Sequence, residues 1–102
     1  MNANIFIAGS GGIGQAAGLI LSESQVMQSS IYFGDISQQV IDNAIDFVTQ
    51  GCTGKANLQG VLMPMEGSNE DMAAALAKCD IILDCLPGSQ APRMAALAKQ
   101  HH

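Results

Sequence analysis

A cluster of glycines near the start of the chain has the spacing of a phosphate-binding loop. Six consecutive residues form the pattern G-x-G-x-x-G: Gly9, Ser10, Gly11, Gly12, Ile13 and Gly14. In such loops the first glycine makes a tight turn, the second lets the backbone approach a pyrophosphate, and the third lets a helix pack closely on a strand. The phosphates are bound by the N–H groups at the positive end of that helix. We therefore predict a dinucleotide site at this loop.

An acidic residue stands where a ribose ligand is expected. Asp35 follows Gly14 by 21 residues and ends an apolar run, a position from which a carboxylate accepts hydrogen bonds from the adenosine ribose. Because a carboxylate repels a 2′-phosphate, NAD is the predicted cofactor. Ile36 and Ser37 are predicted to border the same ribose, and the Ser37 hydroxyl leaves NADP possible. Alternatively, no ligand binds here: the glycines form only a tight turn between strand and helix, and Asp35 only caps the helix that begins near Ser37.

A third group of candidate residues follows the last apolar run. Cys85, Leu86 and Pro87 end the run that begins at Ile81, and ligands of open α/β sheets bind outside the carboxyl ends of the strands. We predict that these residues line the middle of the dinucleotide or its nicotinamide side. Alternatively, Cys85 is a small buried side chain that packs in the core and has no chemical role. Met65 and Glu66, after the third run, could flank the adenine or belong to a solvated turn. No catalytic residue and no metal ligand is identified.

Strand and helix patterns alternate four times along the chain and would position these residues. Strands are predicted over 5–8, 31–33, 58–65 and 81–86, and helices over 13–22, 37–50, 68–77 and 89–100. Short links between alternating strands and helices favour a parallel sheet covered by helices on both faces. Because crossovers are right-handed, we predict a doubly wound, three-layer Rossmann fold with strand order 3-2-1-4, forming one domain over 1–102.

The composition excludes several classes of partner. Of 102 residues, 48% are hydrophobic and 13% are charged, and the net charge is −5. A nucleic-acid binder needs a basic stripe, which four Lys and Arg residues cannot form. No apolar stretch approaches the roughly 20 residues that span a bilayer, and no signal peptide is recognised. Three cysteines without a paired spacing suit a reducing compartment, so a cytoplasmic location is expected.

Three segments together resemble one family. They read NIFIAGSGGIG over 4–14, GDIS over 34–37 and CDIILDCLPG over 79–88, and they are similar to the N-terminal domain of saccharopine dehydrogenase-like oxidoreductases. The Cys-Leu-Pro ending is the part particular to that family. The resemblance implies an NAD(P)-dependent enzyme acting on the C–N bond of an amino-acid adduct, with Gly9, Gly11, Gly14 and Asp35 holding the cofactor. Because family members continue into a substrate domain, we expect an N-terminal piece that is inactive as a dehydrogenase by itself.

Two other classes of protein share parts of this pattern. Nucleotide-sensing modules attached to potassium channels carry the same glycine loop and acidic residue, bind NAD(H) and catalyse nothing. The Cys-Leu-Pro ending argues against such a module. Adenylating domains of ubiquitin-activating-like proteins also use a Gly-Ser-Gly-Gly loop, but they need an arginine after the second strand, and residues 36–50 contain none.

The predicted strand order leaves one apolar strand at an edge. The apolar run 81–86 is typical of a central strand, yet the order 3-2-1-4 places it at the edge of the sheet, with a neighbouring strand on one side only. Apolar edges attract partners, and Asp80 and Asp84 protect this one only in part. We therefore expect self-association through this edge or the helices beside it.

Overall fold

Strands and helices alternate through the whole described chain. The structure, a computed structural model, describes residues 2–23, 28–51, 57–65, 67–86 and 91–101. The elements, in order, are β1 (Asn2–Ala8), α1 (Gly12–Glu23), β2 (Gln28–Asp35), α2 (Gln38–Gly51), β3 (Asn57–Leu62), α3 (Glu70–Lys78), β4 (Ile81–Asp84) and α4 (Ala91–His101). The predicted order is confirmed. β4 is shorter than predicted because the Asp84 carboxylate accepts the N–H of Leu86 at 3.0 Å, which turns the chain out of the sheet.

The sheet is parallel throughout, and β1 lies inside it. The strand order is β3-β2-β1-β4, as predicted. β1 is buried on both faces, with Ile5, Phe6 and Ile7 at most 1% exposed, which explains its continuous apolar run. The register pairs Ala8 with both Gly34 and Asp84. The carboxyl ends of these three strands therefore meet at one edge of the sheet.

Helices cover both faces of the sheet and complete three layers. On one face, Ile5, Ile7 and Phe33 pack with Ile41 and other residues of α2, and α1 contacts the same side through Leu19 and Leu21. On the other face, alternate strand residues pack against α3 and α4; this core comprises Phe6, Tyr32, Val61, Met63, Met72, Leu76, Met94 and Leu97. The described residues thus form a Rossmann-like α/β fold.

The start of α3 is fixed by one side chain. Asn69 is the N-cap: its Oδ1 accepts the N–H of Met72 at 2.8 Å, while its Nδ2 donates to the carbonyl of Leu62 at 3.1 Å. The neighbouring Ser68 hydroxyl donates only to the Asn69 carbonyl, at 3.3 Å, in an exposed position. Asn69 therefore joins the end of β3 to the helix that packs beneath it.

We predict that Asn69→Ala lowers the free energy of unfolding by about 1–2 kcal/mol, because a helix cap and a tie to β3 are lost together. Urea denaturation measures the change. Ser68→Ala is the matched control and should shift the free energy of unfolding by less than about 0.5 kcal/mol. Equal effects of the two substitutions would show that the cap does not stabilise the domain.

Candidate functional site

The glycine loop leaves β1 through a turn that only glycine fits. Gly9 has a φ of +92°, a region that side chains disfavour. A Cβ there would lie 2.9 Å from the carbonyl carbon and oxygen of Cys85. The Gly9 N–H donates to the carbonyl of Gly34 at 2.8 Å. The turn is thus held between the two strands that flank β1.

The third glycine of the loop lets α1 press against the turn. A Cβ on Gly14 would overlap the carbonyl oxygen of Gly9 and would lie 3.4 Å from the Ile7 side chain. One helical turn later, a Cβ on Gly18 would lie 2.6 Å from the ring of Phe33. The start of α1 therefore packs at a distance from the sheet that no larger residue allows.

The two middle glycines differ from Gly9 and Gly14 because no described residue packs against them. Within the described part of the chain, a Cβ at Gly11 or Gly12 would meet no heavy atom within 4 Å. Among the described glycines, positive φ values occur at Gly9 and Gly67 only. The space in front of Gly11 and Gly12 is therefore open, and an approaching ligand would meet backbone there instead of side chains.

The N-terminus of α1 has backbone donors and no side-chain cap. Gly11 accepts the first helical hydrogen bond, from the N–H of Gln15 at 2.9 Å, so it occupies the cap position without a side chain. The N–H groups of Gly12, Ile13 and Gly14 belong to the first turn, which has no partners within the helix. That turn contains no acidic residue, whereas α3 begins with Glu70 and Asp71. The positive end of α1 is thus available to an anion.

Asp35 joins the glycine loop to the next helix. Its Oδ2 accepts the N–H of Ser10 at 3.0 Å, and its Oδ1 accepts the N–H of Ser37 at 3.1 Å. The side chain is half-buried, and each carboxylate oxygen has a second lone pair for a further donor. Asp35 therefore combines a structural role with the ability to bind a hydroxyl group outside the protein.

The residues around Asp35 are held firmly. Ser10 is fully buried, and its hydroxyl donates to the carbonyl of Gly34 at 3.1 Å. The Ser37 hydroxyl oxygen accepts the N–H of Val40 at 3.3 Å, which makes Ser37 the N-cap of α2. The Gly34 carbonyl thus anchors both Gly9 and Ser10. The sequence analysis did not predict this role of the Gly34 carbonyl, although Gly34 stands directly before Asp35.

Exposed apolar side chains border the open space. Ile36 is 53% exposed, Met65 is 75% exposed, and Ile13 is 76% exposed. Ile36 and Met65 follow the ends of β2 and β3, which the backbone joins through a 2.7 Å hydrogen bond from the Met63 N–H to the Asp35 carbonyl. This part of the site suits a flat apolar group.

The residues after β4 lie against the turn at Gly9. The Cys85 N–H donates to the carbonyl of Ala8 at 2.8 Å, and the Cδ2 of Leu86 would be 3.0 Å from a Cβ on Gly9. The Cys85 side chain packs on the core that contains Ile5 and Ile7. Burial, followed by the nearby Asp84 carboxylate, raises the pKa of the Cys85 thiol, so the thiol is a poor nucleophile.

Not every predicted site residue can be placed. The structure brings together Gly9 to Gly14, Asp35 to Ser37, Cys85 and Leu86, while Pro87 lies outside the described residues. Within the described ranges, no group of three or more His, Cys, Asp and Glu side chains is arranged to hold a metal ion. In the same ranges, no helix combines the length and the apolar character needed to cross a membrane.

Comparison with known proteins leaves the site to be interpreted from its own geometry. No family model matches the chain, and no curated protein matches its sequence.

Proposed function

We propose that this chain is a dinucleotide-binding domain that holds NAD at the carboxyl ends of β1 and β2. The observation that carries the proposal is the uncapped N-terminus of α1, which faces open space across two glycines. Gly11 and Gly12 have no neighbour that excludes a side chain, so the absence of side chains there is best explained by a ligand that approaches the backbone closely. A pyrophosphate fits this position because it bears the charge that the helix end favours.

The ribose of the adenosine half would bind at Asp35. Both carboxylate oxygens already accept a backbone N–H, which fixes their orientation before a ligand arrives. The remaining lone pairs could accept the two ribose hydroxyl protons, while a 2′-phosphate would meet a negative charge at the same place. This arrangement favours NAD over NADP.

The adenine would lie between the exposed side chains of Ile36 and Met65. Both follow strand ends next to Asp35, and more than half of each side chain is exposed. A purine ring covers apolar surface of this kind, and its burial contributes affinity in proportion to the area removed from water. The nicotinamide side would extend toward Cys85 and Leu86, on the other side of Gly9.

We further propose that this binding serves an oxidoreductase of the saccharopine dehydrogenase-like kind. The segment that ends in Cys85 and Leu86 supports the resemblance and lies beside the glycine turn. The Cys85 side chain packs on the core that contains Ile5 and Ile7, so it would form part of the wall of the site.

Calorimetric titration with NAD, NADP and ATP tests the proposal. The wild-type chain is expected to bind NAD at least about tenfold more tightly than NADP, a difference of about 1.4 kcal/mol. Asp35→Ala should weaken NAD binding and bring the ratio of the two dissociation constants close to one. This ratio is the decisive quantity, because a loosened glycine loop would weaken the binding of NAD and of NADP equally and leave the ratio unchanged.

Asp46→Ala is the matched control, since it removes the same charge from an exposed position on α2. It should leave the ratio of the NAD and NADP dissociation constants unchanged. Equal binding of NAD and NADP by the wild-type chain would contradict the assignment of the ribose to Asp35. Tighter binding of ATP than of either dinucleotide would contradict NAD as the ligand.

A further inference from the structure

One side chain in the first turn of α1 reaches back to the glycine loop. The Nε2 of Gln15 donates to the carbonyl of Ser10 at 3.3 Å, while the backbone N–H of Gln15 donates to the carbonyl of Gly11 at 2.9 Å. The Gln15 side chain is half-buried. Gln15 therefore binds two consecutive carbonyl groups of the loop and directs both of them toward the helix.

The direction of these two carbonyls decides where two N–H groups point. In a trans peptide unit, the carbonyl of one residue and the N–H of the next lie in one plane and point in opposite directions, and the described chain has no cis peptide bond. Because the carbonyls of Ser10 and Gly11 point toward Gln15, the N–H groups of Gly11 and Gly12 point away from it. Both glycines are exposed, so these N–H groups are accessible to a ligand.

The peptide unit between Ser10 and Gly11 depends on Gln15 for its orientation. The N–H of Ser10 is bound by Asp35 and its hydroxyl by the Gly34 carbonyl, but neither bond fixes the Ser10 carbonyl. Since Gly11 has no Cβ and no described residue packs against it, this peptide unit could rotate at little steric cost. A rotated unit would turn the carbonyl oxygen of Ser10 toward the open space, where its partial negative charge would repel an anion.

We propose that Gln15 is a positioning residue for the phosphates of the ligand. By binding the Ser10 carbonyl, it keeps the N–H of Gly11 directed at the pyrophosphate, next to the N–H groups of the first turn of α1. This role rests on the proposed function, because it acts on the phosphates of the same ligand. Any ligand with an adenosine diphosphate portion should depend on Gln15, whether or not it carries a nicotinamide.

Calorimetric titration of Gln15→Met with NAD and with ADP tests this role. Methionine nearly matches glutamine in length and favours helices equally well, but it cannot donate to the Ser10 carbonyl. The affinity for NAD and for ADP should each fall about 5- to 20-fold, because a hydrogen bond to a charged group is stronger than one between neutral groups. The far-ultraviolet circular dichroism should stay unchanged. Gln50→Met, the matched control at an exposed position of α2, should leave both affinities unchanged.

A second measurement separates positioning from a general loosening of the loop. In two-dimensional NMR spectra, the Gly11 amide proton of the wild-type chain should shift when ADP saturates the site, because a phosphate oxygen accepts that N–H. With Gln15→Met the same resonance should shift clearly less at saturation. If Gln15 only stabilised the loop, the affinity would fall, but the shift at saturation would be the same in both chains.

Failure of this role and failure of the proposed function give different results. If Gln15→Met bound NAD and ADP as strongly as the wild-type chain, or if the Gly11 amide shifted equally in both at saturation, the positioning role of Gln15 would be wrong and the dinucleotide site would stand. An equal loss of affinity in Gln50→Met would also overturn the role of Gln15. If the wild-type chain bound neither NAD nor ADP, the proposed function and the role of Gln15 would both be wrong.

Discussion

Gly14→Ala is expected to lower the free energy of unfolding by about 3 kcal/mol or more, a large fraction of the roughly 5–15 kcal/mol that stabilises a typical domain. The added Cβ would overlap the Gly9 carbonyl oxygen, and neither group can move freely. Gly9 is held by its hydrogen bond to Gly34, and α1 is held against the sheet at Gly18. Relief of the overlap would require the helix to move away from the sheet. Urea or thermal denaturation followed by circular dichroism measures the change.

Gly12→Ala is the matched control for this prediction, since it makes the same chemical change two residues earlier. Its Cβ would meet no atom within 4 Å, and its φ is not positive. Alanine should therefore leave the free energy of unfolding unchanged or raise it by up to about 1 kcal/mol, because glycine loses more backbone entropy on folding. If both variants destabilised the domain equally, the close packing of α1 on the glycine turn would be wrong.

Gly11→Ala is expected to weaken NAD binding by about 10- to 100-fold, or about 1.4–2.7 kcal/mol, while the domain stays folded. The protein leaves room for this Cβ, so the free energy of unfolding should fall by less than about 1 kcal/mol. The same room is where the proposed pyrophosphate approaches the backbone, and a methyl group there would hold the phosphates away from the N–H groups of α1. Calorimetric titration gives the affinity, and urea denaturation gives the stability.

A suitable control adds two methyl groups to an exposed residue of another helix, at least as much bulk as Gly11→Ala adds. Ala74→Val on α3 does so at an exposed position and should leave NAD affinity unchanged. NAD binding by Gly11→Ala at wild-type strength would contradict the position proposed for the pyrophosphate. Such a result would not contradict the close packing of α1 on the glycine turn, because that packing is tested by the stability of Gly14→Ala and not by NAD affinity.

The arrangement of elements could be predicted because it depends on local spacing and on one rule of handedness. Apolar runs such as 5–8 indicate buried strands, and right-handed crossovers limit the sheet to a few doubly wound orders. The predicted order, 3-2-1-4, is the one observed. The ends of strands were less predictable. β4 stops at Asp84 because that carboxylate binds the N–H of Leu86. Aspartate favours such turns, but the apolar residues on both sides of Asp84 favour a strand that continues to Leu86.

The sequence also predicts which residues lie together at the candidate site, but it does not predict the contacts among them. The glycine spacing and Asp35 indicate where a dinucleotide would bind. The hydrogen bond from Ser10 to Asp35 joins residues 25 positions apart, and it exists only because the register places Ala8 beside Gly34. The prediction treated Asp35 as either a ribose ligand or a structural cap. In the structure Ser37 caps the helix, and the Asp35 carboxylate instead orients the glycine loop by accepting the N–H of Ser10.

The sequence by itself determined the order of strands and helices, the parallel sheet and the presence of a glycine loop, because all three follow from periodicity and residue type along the chain. Only the tertiary structure decided which glycines the protein needs for its own packing. A Cβ on Gly9 would meet the backbone of Cys85, just after β4, and a Cβ on Gly14 would meet the backbone of Gly9, while no described atom lies within 4 Å of such a Cβ on Gly11 or Gly12. That distinction arises from how closely α1 and the end of β4 pack against the glycine turn, which periodicity along the chain does not determine.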